Sequence, residues 1–334
     1  MPEVSIIVPC YNEENTIRLL LDAVNAQTYA HSELEVVIAD GGSTDGTVGQ
    51  IGAFQKEHPD LTVRVVPNPK RVIPAALNAA IAAAQGEIIV RLDAHSVPQP
   101  DYVERCVRAL KDGRGENVGG VWDIRPGGTG WQARSISEVA SHPLGVGDAL
   151  YRFTTQANEV DTVPFGSFRR ALVDRIGGFD ESLLTNEDYE FNTRVRQSGG
   201  KVWLDPNIRC VYFARPNFAA LSRQYWRYGY WKLRMLKRYP DTVRWRQALP
   251  PLFVLSLIGL ALLAPWWKLA RIVLLLEVGI YLFILLMAGI RAAVKRKDLA
   301  FIAGIPMGIA TMHLSWGSGF LWSLITSLTH TERK

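Results

Sequence analysis

Along the first two thirds of the chain, short runs of apolar residues alternate with segments whose apolar residues have helical spacing. Val4–Pro9 and Leu34–Ala39 have the pattern of strands that are buried on both faces of a parallel sheet. Glu13–Gln27, between them, carries apolar residues at helical spacing. The alternation continues with predicted strands at Thr62–Val66 and Glu87–Leu92 and predicted helices at Thr44–Gln55 and Pro74–Ala84. It predicts an α/β fold class, in which ligands bind at the carboxyl ends of the strands.

Beyond residue 247 the pattern changes to long apolar segments, which predict a transmembrane region over 248–330. Segments 249–267 and 272–290 contain one charged residue between them, Glu277. At 1.5 Å per residue, each is long enough to cross a hydrocarbon core of about 30 Å. Segment 299–328 is uncharged but contains several glycines and Pro306, so it predicts either one broken helix or a re-entrant hairpin. Buried core helices are the alternative, but three such runs exceed what a soluble core needs.

Charge divides the chain in the same way. The 334 residues carry 37 Lys and Arg against 32 Asp and Glu, a net charge of +5. Residues 216–247 hold eight Lys and Arg and one Asp, interleaved with aromatic residues, and the rest of the chain is slightly acidic. This mixture predicts an interfacial helix on anionic lipid headgroups. Stacking on nucleic-acid bases is the alternative, and the adjacent apolar segments favour the membrane.

Basic loops predict the orientation of the chain in the membrane. The loop 291–297 holds four Lys or Arg residues, whereas the loop near 265–271 holds two. The positive-inside bias therefore predicts a multi-pass protein whose α/β domain lies in the cytoplasm. The three cysteines form no CxxC pair, which indicates a reducing compartment, and the strand-like start predicts that no cleavable signal peptide is present.

Four polar clusters lie where an α/β domain presents its strand ends. They are Pro9–Glu13 after the first strand, Asp40–Gly46 after the second, Arg91–His95 after the fourth, and Asn186–Glu190 at the start of a helix. Each alone is ordinary turn or helix-cap chemistry. No GxGxxG follows a strand and no Walker A sequence occurs, so dinucleotide and P-loop sites have no support.

In their order PxYNE, DxxSTDGT, DxH and ED, the clusters resemble family 2 of the inverting glycosyltransferases. The resemblance covers residues 3–230. It extends to bacterial succinoglycan-type exopolysaccharide enzymes through the segments VDTVPFGSFRR (160–170), GGFDE (177–181) and RQYWRYG (223–229). It implies the GT-A fold, a Rossmann-like domain with a mixed sheet. The predicted organisation is a catalytic domain over 1–215, an interfacial helix over 216–247 and transmembrane helices over 248–330.

Nucleotide binding is expected at the first three clusters. A base needs an apolar or aromatic wall and a few fixed polar groups. Tyr11 is expected to supply the wall, and by resemblance to the family Asp40 faces the base, usually uracil. Arg71 is a candidate for the diphosphate, with a solvated charge as the alternative. The expected nucleotide-binding residues are Pro9, Tyr11, Asn12, Glu13, Asp40, Arg71, Asp93 and Arg227.

Asp93 lies where a cation bound to the diphosphate needs a hard oxygen ligand. The family's motif is commonly DxD, but here the second acidic position is His95. Imidazole suits Mn²⁺ better than Mg²⁺, so Asp93 and His95 are the expected ligands of a divalent cation, Mn²⁺ or Mg²⁺. Phosphate binding by His95 is the alternative.

Transfer with inversion needs a base that deprotonates the attacking hydroxyl. By resemblance to the family's ED pair, Asp188 is that base, and Glu187 positions the acceptor or tunes the pKa of Asp188. The alternative is that both are acidic residues favoured in the first turn of a helix. Phe165 and Gly166 correspond to the family's loop under the transferred sugar.

Gln224–Tyr228 resembles the QxxRW element of membrane-bound polysaccharide synthases, with tyrosine in place of tryptophan. In those relatives the arginine meets the diphosphate and the aromatic ring stacks on the acceptor sugar. The resemblance therefore implies a diphosphate contact for Arg227 and a place in the donor and acceptor pocket for Gln224 and Tyr228.

The sequence thus predicts an inverting, metal-dependent hexosyltransferase of a prokaryotic inner (plasma) membrane. Its expected donor is a nucleotide sugar, UDP-linked, and its expected acceptor is a polyprenyl-diphosphate-linked oligosaccharide for an exopolysaccharide or surface glycan. Two other enzymes stay open, a processive polysaccharide synthase and a polyprenyl-phosphate hexosyltransferase. The alternative from another class is a non-catalytic membrane scaffold that binds nucleotide sugars.

Overall fold

The computed structural model describes residues 1–242 and 244–329, which form two compact units. The first unit consists of Met1–Asp123 and Leu150–Tyr212. The second consists of Ile124–Ala149 and the described part of the chain from Phe213 onward. The second unit therefore takes in residues 124–149, which lie inside the catalytic domain predicted over 1–215.

Nine strands of the described residues form one mixed sheet. They are β1 (Val4–Cys10), β2 (Leu34–Asp40), β3 (Thr62–Pro67), β4 (Ile88–Arg91), β5 (Val97–Pro98), β6 (Asn117–Pro126), β7 (Asn158–Glu159), β8 (Ser167–Arg169) and β9 (Val202–Ala214). The strand order is β3-β2-β1-β4-β8-β6-β9-β5, and β7 pairs with β9. Strands β1 to β4 pair in parallel, whereas β8 runs antiparallel to both β4 and β6. The predicted mixed α/β sheet is confirmed.

Helices of the first unit follow the predicted alternation with shifts of a few residues at their ends. They are α1 (Ile17–Asn25), α2 (Thr47–Glu57), α3 (Ile73–Ala83), α4 (Tyr102–Lys111), α7 (Arg170–Ile176) and α8 (Glu187–Gln197). Helices of the second unit are α5 (Trp131–Val139), α6 (Pro143–Val146), α9 (Phe218–Arg238), α10 (Trp245–Leu263), α11 (Lys268–Arg296) and α12 (Phe301–Thr329). Short 3₁₀ turns cover His31–Glu33, Leu150–Arg152 and Pro240–Thr242.

The central strands explain where the polar clusters meet. Apolar side chains on both faces of β1, β2 and β4 are fully buried, which stabilises the sheet between two helical layers. In the parallel register Cys10 lies opposite Asp40, and Ile7 lies opposite Arg91. The carboxyl ends of β1, β2 and β4 therefore reach one edge of the sheet, and the three loops that follow them share that edge.

The C-terminal helices differ from the sequence prediction. Among the described residues one helix, α11, is long and apolar enough to cross a membrane. Helix α10 has a shorter apolar stretch, and α12 is continuous from Phe301 to Thr329 rather than a re-entrant hairpin. The predicted multi-pass arrangement is therefore not supported.

The glycines of α12 are compatible with a continuous helix, because they lie where neighbouring helices pack against it and do not interrupt it. A Cβ on Gly319 would meet the backbone of Trp226 in α9, and one on Gly304 would meet Ser135 in α5. Gly229 of α9 has the reciprocal position against the carbonyl oxygen of Trp316 in α12. Small residues let the backbones of α9 and α12 approach closely, as in packed membrane helices.

We expect Gly229→Ala to destabilise the second unit, because the added methyl group has no room beside the Trp316 carbonyl. Overpacking of this kind lowers the free energy of unfolding by about 1–3 kcal/mol. Gly279→Ala in α11 is the matched control, since its Cβ would meet nothing within 4 Å. Alanine is the better helix former, so this control should leave the melting temperature equal or higher. Thermal unfolding of both detergent-solubilised variants measures whether the melting temperature falls in Gly229→Ala and not in Gly279→Ala. Equal melting temperatures would contradict the packing assignment.

Candidate active site

The loops after β1 and β2 are tied together by hydrogen bonds. The Asn12 backbone N–H donates to Ser43 Oγ over 2.8 Å, and Asn12 Oδ1 accepts from the Thr44 N–H over 2.9 Å. Asn12 has φ of 55°, in the left-handed region that asparagine tolerates better than most residues. The next residue, Glu13, donates its backbone N–H to Thr47 Oγ1 at 2.7 Å. The first two predicted clusters therefore form one surface.

Asp40 folds the turn of its own loop. Its Oδ2 accepts from the backbone N–H groups of Gly42 and Ser43, each at 3.0 Å, and its Oδ1 accepts from the Ser43 hydroxyl at 2.5 Å. Such side-chain-to-backbone bonds are the usual reason for aspartate in a turn. The structure thus shows a conformational role for Asp40, and its contact with a base stays a prediction.

Tyr11 and Arg71 lie side by side at this edge. The Arg71 guanidinium carbon lies 5.6 Å from the centre of the Tyr11 ring, and its Nε donates to the Gly41 carbonyl at 2.9 Å. Tyr11 is 44% exposed, so its ring remains available as a wall for a ligand. Pro9 is the sixth residue of β1, two positions before this ring. An exposed ring with a fixed cation beside it suits a base joined to a diphosphate.

Arg91 is the centre of the site. It ends β4, and its side chain is only 3% exposed. One terminal nitrogen donates to Asp188, and the other donates to Asp93 at 3.2 Å and to Glu187 at 3.0 Å. One guanidinium therefore joins the cluster after β4 to the cluster that opens α8. Asp93 and Asp188, one from each cluster, are 95 positions apart in the sequence.

This grouping shifts the pKa of both partners. Burial raises the pKa of Asp188 to about 7, Glu187 and Asp93 add to the rise, and Arg91 opposes it. Burial lowers the pKa of Arg91, but the three carboxylates more than offset this and hold it above its usual value. A carboxylate with a pKa near neutrality is suited to accept a proton from a substrate hydroxyl.

His95 and Glu13 form a second pair at the same edge. The distance from His95 Nδ1 to Glu13 Oε1 is 3.1 Å. Burial raises the pKa of Glu13, and the hydrogen bond with His95 lowers it, with a net result below the ordinary value. Within residues 1–242 and 244–329, no group of three or more His, Cys, Asp or Glu side chains is placed to hold an ion.

The loop expected under the transferred sugar is fixed by its backbone. Tyr102 donates its hydroxyl hydrogen to the Phe165 carbonyl at 3.1 Å, and the Arg91 backbone N–H donates to the Gly166 carbonyl at 3.1 Å. Phe165 has φ of 50°, and a Cβ on Gly166 would meet the Asn117 amide. Both predicted residues therefore lie beside the strand that carries Arg91.

Helix α8 is held by polar groups on its buried face. Asn192 donates to Thr162 Oγ1 at 3.0 Å and to the Val163 carbonyl at 3.1 Å. Arg194 pairs with Glu190 and donates to the carbonyl groups of the 176–178 segment. These bonds hold the part of α8 that follows its first turn, and the first turn contains Glu187 and Asp188.

The remaining predicted residues lie in the second unit, on α9. Gln224 donates its amide to the Tyr228 hydroxyl at 2.8 Å, one helical turn away, and Arg227 is exposed. The first unit brings together the residues of the four clusters with Arg71, Phe165 and Gly166. The roles of the three α9 residues stay predictions.

The sequence pattern placed Arg91 in the third polar cluster but gave it no role, and it did not predict Asn192. Arg91 stands directly after the buried run Ile88–Val90, where a charged side chain needs a partner, and Asp93 follows two residues later. That combination was the available signal. Asn192 carries no such signal, because its contacts with Thr162 and Val163 depend on the fold.

Comparisons with known proteins find a family match and two relatives of nearly the same length as this chain. Residues 5–177 match the family described as "Glycosyl transferase family 2". The succinoglycan biosynthesis protein ExoA of Rhizobium meliloti (strain 1021) is 29% identical over 327 residues, covering 96% of this chain and 94% of the relative. A second relative, from Methanococcus voltae, is 27% identical over 328 residues, covering 96% and 97%. It is named dolichyl N-acetyl-alpha-D-glucosaminyl phosphate 3-beta-D-2,3-diacetamido-2,3-dideoxy-beta-D-glucuronosyltransferase.

Solved structures show the same fold. The mannosyltransferase PcManGT from Pyrobaculum calidifontis, in complex with GDP-Man and Mn²⁺, has a TM-score of 0.62 at 22% identity and covers 93% of this chain and 87% of its own. Residues 1–349 of TarS from S. aureus, in complex with UDP-GlcNAc, have a TM-score of 0.51 at 16% identity. The match covers 95% of this chain and 91% of the TarS chain. The predicted GT-A fold class is confirmed.

Proposed function

The chain belongs to glycosyl transferase family 2, and from this premise we propose that it moves a hexose from a nucleotide sugar to a lipid-linked saccharide, with inversion at the anomeric carbon. One observation carries the proposal. Asp93, Glu187 and Asp188 meet on Arg91 at the edge where β1, β2 and β4 end. Ligands of open α/β sheets bind at this kind of edge.

The donor is proposed to be a UDP-sugar. Tyr11, with Arg71 beside it, supplies a ring and a cation for the base and the diphosphate. Related structures contain GDP-Man or UDP-GlcNAc, so a nucleotide sugar is the shared substrate class. The name of the Methanococcus voltae relative includes a dolichyl-linked phosphate acceptor, which supports a polyprenyl-linked acceptor here.

A divalent cation fits the donor set of this site. Asp93 would offer a hard carboxylate oxygen and His95 an imidazole, and the diphosphate of the donor would supply further oxygen ligands. Mn²⁺ or Mg²⁺ at this place would neutralise the charge that develops on the leaving diphosphate.

Asp188 acts as the base in the proposed reaction. It takes the proton of the acceptor hydroxyl while the hydroxyl oxygen forms a bond to the anomeric carbon. The bond from that carbon to the diphosphate oxygen breaks on the opposite face, and the nucleoside diphosphate leaves with the electron pair. Glu187 orients the acceptor, while Phe165 and Gly166 support the transferred sugar from below.

The proposed membrane anchor is α11. Its 29 residues exceed the length needed to cross a bilayer, and Leu275 and Leu276 are among its many exposed apolar side chains. Trp266, 85% exposed, lies just before the helix, as aromatic residues do at membrane interfaces.

A donor screen tests the proposal. Purified protein is incubated with Mn²⁺, a polyprenyl-linked saccharide extract and each of several UDP-, GDP- and dTDP-sugars, and nucleoside diphosphate release is measured. We expect release that depends on both a UDP-sugar and the extract. If a GDP- or dTDP-sugar supports release and no UDP-sugar does, the proposed donor is rejected. Specific nucleotide binding without release would favour the non-catalytic scaffold.

A further inference from the structure

Arg91 contacts three carboxylates while its own side chain is buried. The Arg91 side chain is 3% exposed, whereas Asp93 and Asp188 keep 22% and 26% of their side chains exposed. A solvent molecule or ligand can therefore reach these two carboxylates, while the guanidinium that contacts them is shielded. Its position at the end of β4 fixes its backbone in the sheet.

The guanidinium is shared between two halves of the proposed chemistry. One terminal nitrogen serves both Asp93 and Glu187, and the other serves Asp188. The rigid planar fork of arginine therefore sets the spacing between the carboxylate assigned to the cation and the carboxylate assigned to the acceptor hydroxyl. A lysine ammonium is a point charge and imposes no such spacing.

The remaining donor of Arg91 is left unused. Its Nε is buried and has no hydrogen-bond partner in the part of the chain that the structure describes. Native proteins leave few buried polar atoms unpaired. Here both terminal nitrogens are directed at carboxylates, and none of the described contacts anchors the guanidinium to a backbone carbonyl.

Charge balance gives the arginine a second effect. One guanidinium does not fully balance the negative charge of the three carboxylates around it, and the remaining charge attracts a divalent cation. Arg91 already neutralises part of that charge, so a cation alone gains less from Asp93 than it would without the arginine. The diphosphate of a donor adds oxygen ligands, and these favour binding of the cation together with the donor.

We propose that Arg91 is a positioning residue, an inference that rests on the proposed function. It fixes Asp93 relative to Asp188, and it keeps the affinity for the cation low until the donor binds. Arg91 touches neither donor nor acceptor in this scheme. It acts through the two carboxylates, by fixing their separation and by competing with the cation for their charge.

Two substitutions separate these effects. Arg91→Met removes the charge and the fork, and we expect it to bind Mn²⁺ in the absence of nucleotide about tenfold more tightly. Arg91→Lys keeps the charge, so its Mn²⁺ affinity should stay within about threefold of wild type. Because the fork is lost, its kcat should fall about tenfold or more while the donor KM changes by less than about threefold. Calorimetric titration with Mn²⁺ alone and initial-rate kinetics supply the readouts.

Arg194→Met is the matched control, since Arg194 is also a largely buried arginine paired with a glutamate of α8. It should lower the melting temperature and leave the Mn²⁺ affinity at the wild-type value. Unchanged Mn²⁺ affinity in Arg91→Met, or an unchanged kcat in Arg91→Lys, would overturn the proposal. If Arg91→Met does not fold, the kcat of Arg91→Lys tests the proposal, and a wild-type value would overturn it. If the wild type transfers no sugar at all, the proposed function fails, and the Mn²⁺ titration still tests the effect of Arg91 on cation binding.

Discussion

Asp188→Asn is expected to lower kcat for sugar transfer by about two to four orders of magnitude, the usual contribution of a general base. Asparagine is nearly isosteric but cannot take up the proton of the acceptor hydroxyl. The substitution also leaves Asp93 and Glu187 as partners of Arg91, so the protein should fold and bind its donor. Initial rates of nucleoside diphosphate release at saturating donor and acceptor measure the effect.

Asp174→Asn serves as the control for this substitution. Asp174 is exposed on α7, so the same chemical change there should keep the wild-type rate. Donor affinity of Asp188→Asn, measured by calorimetry, separates a loss of chemistry from a loss of binding. A turnover in Asp188→Asn within about threefold of wild type would reject Asp188 as the base.

Removal of divalent cations is expected to have an effect of similar size. Treatment with a chelator should lower the transfer rate by about two orders of magnitude or more, because the charge of the leaving diphosphate is then uncompensated. Mn²⁺ should restore the rate better than Mg²⁺, since His95 offers an imidazole ligand. Rates after chelation and stepwise addition of each ion supply the test.

Asp93→Asn distinguishes a bound cation from a general salt effect. This variant should stay slow when Mn²⁺ is restored at a concentration that saturates the wild type. His95→Asn should reduce the advantage of Mn²⁺ over Mg²⁺. Full activity in the presence of the chelator would contradict metal dependence and the assignment of Asp93.

The sequence contains enough information for the sheet and for most of the site. Buried strands such as Val4–Cys10 and Leu34–Asp40 need apolar residues on both faces, and this pattern is visible without a structure. Because parallel strands end at the same edge, the clusters that follow them were expected to meet. The hydrogen bond between Asn12 and Ser43 and the pairing of His95 with Glu13 agree with that expectation.

Local patterns gave less information about contacts between distant segments. Arg91 joins residues 93, 187 and 188, and the partner of a buried charge depends on how α8 lies against the sheet. Asp40 matched a family position, yet its hydrogen bonds with Gly42 and Ser43 show that it also holds its own turn. Motif positions therefore indicated the site but not the interactions that fix its geometry.

The C-terminal part of the chain shows a different limit. Hydropathy and glycine content suggested a broken or re-entrant third segment, whereas Gly304, Gly317 and Gly319 provide room for neighbouring helices in a continuous α12. A glycine in an apolar helix permits either a bend or a close approach, and composition does not distinguish them. The membership of residues 124–149 in the second unit likewise depends on tertiary contacts.

The most direct test of the account is transfer of a labelled sugar into lipid. Wild-type protein and Asp188→Asn are incubated with Mn²⁺, a polyprenyl-linked saccharide extract and a UDP-sugar labelled at the anomeric carbon, and the lipid product is examined by NMR. The account predicts label in the lipid fraction for the wild type, with the anomeric configuration opposite to that of the donor, and little label for the variant. Retained configuration, or equal labelling by the two proteins, would contradict it.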